Sequence, residues 1–237
     1  MLRYLCFLAA VLGAKSASAP FIQQCKTDDN ACLLASANAA VPFIAPGIPE
    51  LQIGSLDPLL LPLVEGDQNG LKLTFKDTTV TGMKGCAVDA IKHDVKKGKL
   101  AATIRCSVVL RGDYKMSGRM LVLPISGEGK HVIKIRDIII KAYADFVTAP
   151  GADGKPHWHI TDWHHTFTVK TNTHFKFENL FNGNKLLAEP VAQFANSNWR
   201  SVMQELGPPV VHAIVSRTVD SVEALFKAVP ADELALA

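Results

Sequence analysis

From Asp162 to Glu178 the chain alternates between polar and apolar positions. The even positions, from Asp162 through Thr168 and Lys170 to Glu178, are all polar. The odd positions carry Trp163, His165, Phe167, Val169, Phe175 and Phe177, with Thr171 and Thr173 between them. A period of two held this long predicts one β-strand with a wet face and a dry face. Strands in globular proteins usually run about five or six residues, so this one must curl around something. The chain supplies that partner downstream. Val191, Phe194, Ala195, Trp199, Val202 and Leu206 form one helical stripe, which Val211, Val215, Val222, Phe226 and Val229 continue beyond Gly207-Pro208-Pro209. Pro190 suits a first helical turn. The pattern predicts one long helix kinked at Pro208/Pro209, or two helices in tandem. About forty such residues reach roughly 60 Å.

The rest of the chain agrees with a sheet around a helix. Residues 28–44 read as a helix, with Asp28 and Asp29 at its positive end and Pro42 bending or ending it. Residues 46–62 are turn-rich. Strand patterns then follow one another with short turns, which indicates an antiparallel meander. Lys96, Lys97, Gly98 and Lys99 read as a solvated hairpin turn. The dry face changes parity twice. Ile133 and Ile135 are odd but Ile138, Ile140 and Phe146 even. Trp158 and Ile160 are even but Trp163 and Phe167 odd. The switches near Asp137 and Thr161 predict bulges that bend the sheet. The expected fold class is α+β, a long C-terminal helix wrapped by a highly curved antiparallel β-sheet.

Residues 1–19 read as a secretory leader cut near residues 18 and 19. Arg3 opens it, Leu5 to Leu12 form an apolar core too short to span a bilayer, and small residues follow. Residues 20–237 then form a single domain, expected to be secreted and extracellular, with no integral membrane association. The formal charge of +3 falls to about +1 when Arg3 and Lys15 leave, which argues against a nucleic-acid partner. Five cysteines are present. Cys6 departs with the leader, and an even number remains, as expected of an oxidising compartment. Cys25 and Cys32 are close enough in sequence to tie down the first helix. Cys86 and Cys106 flank a hairpin whose simple register puts Cys106 opposite Asp89. A bulge would let them bond; otherwise both are buried thiols.

Motifs for chemistry are missing. His157 and His159 share a strand face, but a third metal ligand at suitable spacing is absent. His164 and His174 fall on the wet face. His165 points inward, as a core histidine or a polar contact to a buried ligand. Ser126 lacks the preceding glycine of a nucleophile elbow. Asp162 and Glu178 are too far apart to act as an acid/base pair. No catalytic residue, metal or cofactor is expected. What remains is apolar surface, because a sheet curled along a helix leaves cavities at the join. The expected lining is Ile138, Ile140, Tyr143, Trp163, His165, Phe167, Val169, Phe175, Phe194, Val202 and Phe226. The Tyr143 hydroxyl either faces water or supplies one directional hydrogen bond.

Several stretches resemble the takeout and haemolymph juvenile-hormone-binding proteins of insects. They are Cys25-x6-Cys32, Leu56-Asp-Pro-Leu, Gly112-Asp-Tyr-Lys-Met-Ser-Gly-Arg-Met-Leu-Val-Leu-Pro-Ile-Ser-Gly127, Phe177-Glu-Asn-Leu-Phe-Asn-Gly-Asn-Lys-Leu-Leu187, Phe194-Ala-Asn-Ser-Asn-Trp199 and Phe226-Lys-Ala-Val-Pro230. The resemblance implies a helix-in-sheet fold with a tunnel for terpenoid, juvenile-hormone-like or fatty-acyl ligands. Hormone-binding members have a second disulfide late in the chain. No cysteine follows Cys106 here, which resembles the takeout branch. The expected function is a secreted, monomeric carrier of a small hydrophobic molecule, with any delivery receptor left open. The rivals are an extracellular interaction or signalling protein without a ligand and, more remotely, a metal-dependent hydrolase built on the histidine cluster.

Overall fold

The protein is described here from a computed structural model covering residues 18–26 and 28–236. All but the last two residues of the expected leader, Cys6 included, lie outside the described residues. In chain order the elements are β1 (Cys25–Lys26), α1 (Asn30–Ile44), β2 (Leu59–Gln68), β3 (Leu71–Thr81), β4 (Ala87–Asp94), β5 (Lys99–Met120), β6 (Leu123–Pro150), β7 (Pro156–Phe177), α2 (Lys185–Ser197), α3 (Trp199–Ala228), α4 (Ala231–Leu234) and β8 (Ala235–Leu236). β1 and β8 form a short parallel ladder that ties the two ends of the fold together.

The sheet is antiparallel, in the order β2-β3-β5-β6-β7. β4 pairs with the first half of β5, and β3 with the second half. β6 alone has 28 residues. Fully extended it would span roughly 90 Å, so it has to bend. It does so at the two parity switches. Asp137 has φ +50°, and pairing jumps from Arg136↔Asn172 to Ile138↔Val169 around it. Its N–H donates to Ser107 Oγ at 3.1 Å, and Thr171 donates to its carboxylate. Further along, Asp145 faces Asp162 but Phe146 faces Ile160, which leaves Thr161 as the extra residue. These bulges let the sheet curl until β2 and β7, its two edges, both lie against α3. The two edges do not pair, so the sheet stays an open trough and the helix fills the gap.

The helices differ from the sequence expectation in two ways. Pro190 is not in a first turn: α2 starts at Lys185, capped by the Asn184 side chain, which accepts from Leu186 N–H at 3.1 Å. The break between the two C-terminal helices falls at Asn198 (φ −108°, ψ 30°) rather than at the prolines. Pro208 and Pro209 lie inside α3, which runs 30 residues, about 45 Å. Packing explains why the helix holds its course there. A Cβ on Gly207 would stand 2.9 Å from the Phe167 ring of β7, and one on Gly66 of β2 would stand 3.1 Å from the Pro209 ring. The helix is gripped from both edges of the trough at this point. Neighbouring contacts therefore fix its path where proline removes backbone hydrogen bonds.

Exposed sheet edges invite unwanted pairing. Two asparagines on helices occupy the free side of β4, which pairs only with β5, and the edge strand β7. Asn38 of α1 accepts from Val88 N–H (2.9 Å) and donates to Val88 O (2.8 Å) on β4. Asn196 of α2 does the same to Phe175 on β7, at 2.8 and 2.9 Å. Each side chain imitates one residue of a neighbouring strand.

Both disulfides form, Cys25–Cys32 and Cys86–Cys106. The second depends on a bulge. The β4–β5 hairpin starts in the register Asp94↔Lys99, Ile91↔Ala102, Ala90↔Thr103, then shifts to Val88↔Ile104 and Ala87↔Arg105 because Asp89 bulges out. That shift, together with a turn centred one residue earlier than the sequence suggested, places Cys106 beside Cys86, with Cα atoms 4.4 Å apart.

Candidate functional site

The interior is not packed solid. A chamber of about 260 Å³ lies between the inner faces of β4, β5 and β6, the Val211–Val222 stretch of α3, and α1. This is just under the roughly 300–1,000 Å³ usual for small-molecule pockets. Each wall follows from local sequence. On β6, Ile138, Ile140, Ala142 and Ala144 point inward because the Asp137 bulge moves the even positions to the dry face. On α3, Val211, Ile214, Val215, Thr218 and Val222 recur at helical spacing. On α1, Ala37, Val41 and Ile44 form the third wall, and Met83 and the Cys86–Cys106 bridge close the remaining side.

Among the described residues, no charged side chain lines the chamber. Its two helical hydroxyls are already satisfied: Thr218 donates to Ile214 O and Ser221 to Arg217 O, both at 3.0 Å. A guest therefore meets hydrocarbon and little else. Burying apolar surface is what such a space rewards, and an unpaired polar group placed inside it is penalised.

The structure sorts the expected lining residues into groups. Ile138, Ile140, Tyr143 and Trp163 border the chamber. Tyr143 is nevertheless 39% exposed, and its ring stacks on His164 on the outer face, centroids 4.9 Å apart. His165 lies half-buried beyond Trp163, with ring centroids 5.8 Å apart. Phe167 lies over Gly207, outside the chamber wall. Phe175 and Val202 are buried in the core around the first half of α3, with Val169 packed against it. Phe194 is half-buried on α2. Phe226 belongs to a separate cluster at the far end of α3, edge-on to Trp158 at 5.3 Å. Thus the second half of β7 packs against helix, and the open space lies nearer β4 and β5.

Sequence reasoning missed the α1 wall and the β4–β5 wall. The alanine-rich face of α1 was a usable signal, since small residues leave room where large ones would fill it. The histidine pair has other duties. His157 Nδ1 lies 3.0 Å from the Phe226 carbonyl oxygen and Nε2 3.1 Å from Asp153 Oδ1, while His159 Nδ1 lies 3.3 Å from Glu223 Oε1. Among the described residues, no three His, Cys, Asp or Glu side chains gather as a metal site. No helix there is long and apolar enough to cross a membrane.

A long helix held in a curled antiparallel trough, with an apolar chamber between them, defines a class of tubular proteins. The chain belongs to the haemolymph juvenile hormone binding protein (JHBP) family, whose model matches residues 4–236. It is similar to the crystal structure of Epiphyas postvittana Takeout 1, with a TM-score of 0.88 and 31% identity, covering 91% of this chain and 100% of that one. It is 27% identical over 226 residues to the circadian clock-controlled protein daywake of Drosophila melanogaster, covering 90% of this chain and 86% of the relative. It is also 21% identical over 203 residues to a putative beta-carotene-binding protein of Schistocerca gregaria, covering 84% and 81%. The resemblance read from the sequence motifs is thereby established, on the takeout side of the family. This is a family of carriers for small hydrophobic ligands.

Proposed function

We propose that this protein is a secreted, monomeric carrier that holds one small hydrophobic molecule, terpenoid, juvenile-hormone-like or fatty-acyl, in the chamber between the sheet and α3. The observation that carries this reading is the chamber's wall, which is apolar on every side and has its helical hydroxyls turned away. Secretion is supported by the leader-like start and by two disulfides, which persist in oxidising compartments. The Schistocerca gregaria relative, named for β-carotene, favours a hydrophobic guest. A ligand burying about 300 Å² of apolar surface gains on the order of 7 kcal/mol before ordering costs. Ordering costs come off this sum, so apolar contact alone sets a ceiling in the micromolar range. The test is native mass spectrometry of the secreted protein, followed by organic extraction. A co-purified apolar compound, released on unfolding, is the expected result. A protein that stays ligand-free after exposure to mixed lipids and terpenoids would leave the interaction-protein reading in its place.

A further inference from the structure

The seam between β7 and the C-terminal helices is pinned by hydrogen bonds at both ends and by none in the middle. At one end Glu223 accepts from Ile160 N–H at 2.7 Å, and His157 approaches the Phe226 carbonyl. At the other end Asn196 pairs with Phe175. Among the described residues, no hydrogen bond links positions 161–174 of β7 to α2 or α3. Aromatic contacts take over there. Trp163 borders the chamber on one side and stacks on His212 of α3 on the other, centroids 5.0 Å apart and planes at 17°. The His165 ring stands 5.7 Å from His212. His212 is exposed, so the Trp163 indole touches the chamber on one side and a solvent-facing ring on the other.

Chemistry at this spot differs from the rest of the wall. Neither imidazole makes a hydrogen bond to another described residue. Burial first, then the neighbouring His212 and His164, pushes the His165 pKa down, which keeps that ring neutral near pH 7. A neutral imidazole offers one N–H donor and one acceptor. Against most of the chamber wall, which is aliphatic, an oxygen atom would lose its water and meet no donor, at a cost of about 1–3 kcal/mol. The donors placed to receive it are those beside Trp163.

We propose that ligands pass through the middle of this seam and that the bound ligand keeps its one oxygen-bearing end there, hydrogen-bonded by His165 or His212, with its hydrocarbon part in the chamber. This rests on the carrier reading and narrows its ligand to one-headed amphiphiles, a chain or terpenoid ending in a carboxylate, ester or ketone oxygen. Trp163 is the door.

The test measures displacement of the apolar dye N-phenyl-1-naphthylamine from the full secreted chain by dodecanoic acid, its methyl ester and dodecane. Acid and ester should displace the dye at about tenfold lower concentration than the alkane, the effect of one added hydrogen bond. In a His165→Phe/His212→Phe variant, which retains ring packing, that ratio should collapse towards unity. In a second variant, Trp163→Ala, the dye should associate several-fold faster. Equal affinity for acid and alkane in the wild type, or a ratio unchanged in the double variant, overturns the proposed head-group site. An unchanged association rate in Trp163→Ala overturns the seam as the way in. Should the wild type bind neither dye nor any of the three compounds, the carrier reading falls and this inference with it.

Discussion

His131 shows how one residue can set the protein's behaviour in acid. It is 1% exposed, its ring lies 4.5 Å from Phe75, and neither nitrogen has a hydrogen-bond partner among the described residues. Burial pushes its pKa down to about 4; Asp113 opposes this, but its backbone approaches the ring without closing a hydrogen bond. An unfolded chain, with an ordinary histidine near 6.5, binds the proton more readily than the folded one between these values. The stability that depends on a neutral His131 is therefore present above about pH 6.5 and declines as pH falls towards 4, by roughly 2–3 kcal/mol. Replacing His131 by Leu should flatten this part of the profile. Urea unfolding of both proteins at about pH 7 and about pH 4.5 reads it: the wild type should lose clearly more stability than the variant. An equal loss in both would show that other groups carry the acid response.

At the scale of elements, the β4–β5 hairpin joins stability to the site. Its disulfide closes a 20-residue separation and also forms part of the chamber wall. Replacing Cys86 and Cys106 together by Ala should cost about 3 kcal/mol by the loop-entropy estimate. The same change should weaken uptake of an apolar dye, because the wall on that side loosens. Denaturant midpoints and dye titrations on the double variant check the two effects separately. If stability falls while uptake stays the same, the bridge is a staple and not a wall. The helices illustrate a different point. Helical periodicity was legible from Val191 to Val229, yet the position of the break was not. Proline predicts a kink from local backbone chemistry, but Phe167 over Gly207 and Pro209 against Gly66 hold α3 continuous. Asn198 ends α2 instead, its side chain donating to the Phe194 carbonyl at 2.9 Å.

For the whole molecule the deciding feature is the space left when trough, α3 and α1 meet. Ala142 of β6 faces into it with a small side chain. Enlarging that residue to Phe should fill the chamber from within. Ligand uptake should drop more than tenfold, while overpacking costs about 1–3 kcal/mol, less than most domains can spare. Dye binding and thermal unfolding on the same sample separate the outcomes. Normal uptake by a stably folded Ala142→Phe protein would move the ligand out of this chamber.

The amino-acid sequence by itself determined the alternation in β7, the parity switches at Asp137 and Thr161, the helical stripe and the first disulfide. Each of these is carried by residues near one another along the chain, where period and chirality act directly. The tertiary structure decided what distant segments do to one another. The Asp89 bulge brings Cys86 beside Cys106, Asn38 docks α1 on β4, and the bend in β6 turns Ile138 and Ile140 towards empty space while Phe175 and Val202 are packed solid. A side chain's parity says which way it points. Whether it meets a neighbour or a void depends on how far away the opposite wall stands, and that distance is written in no single segment.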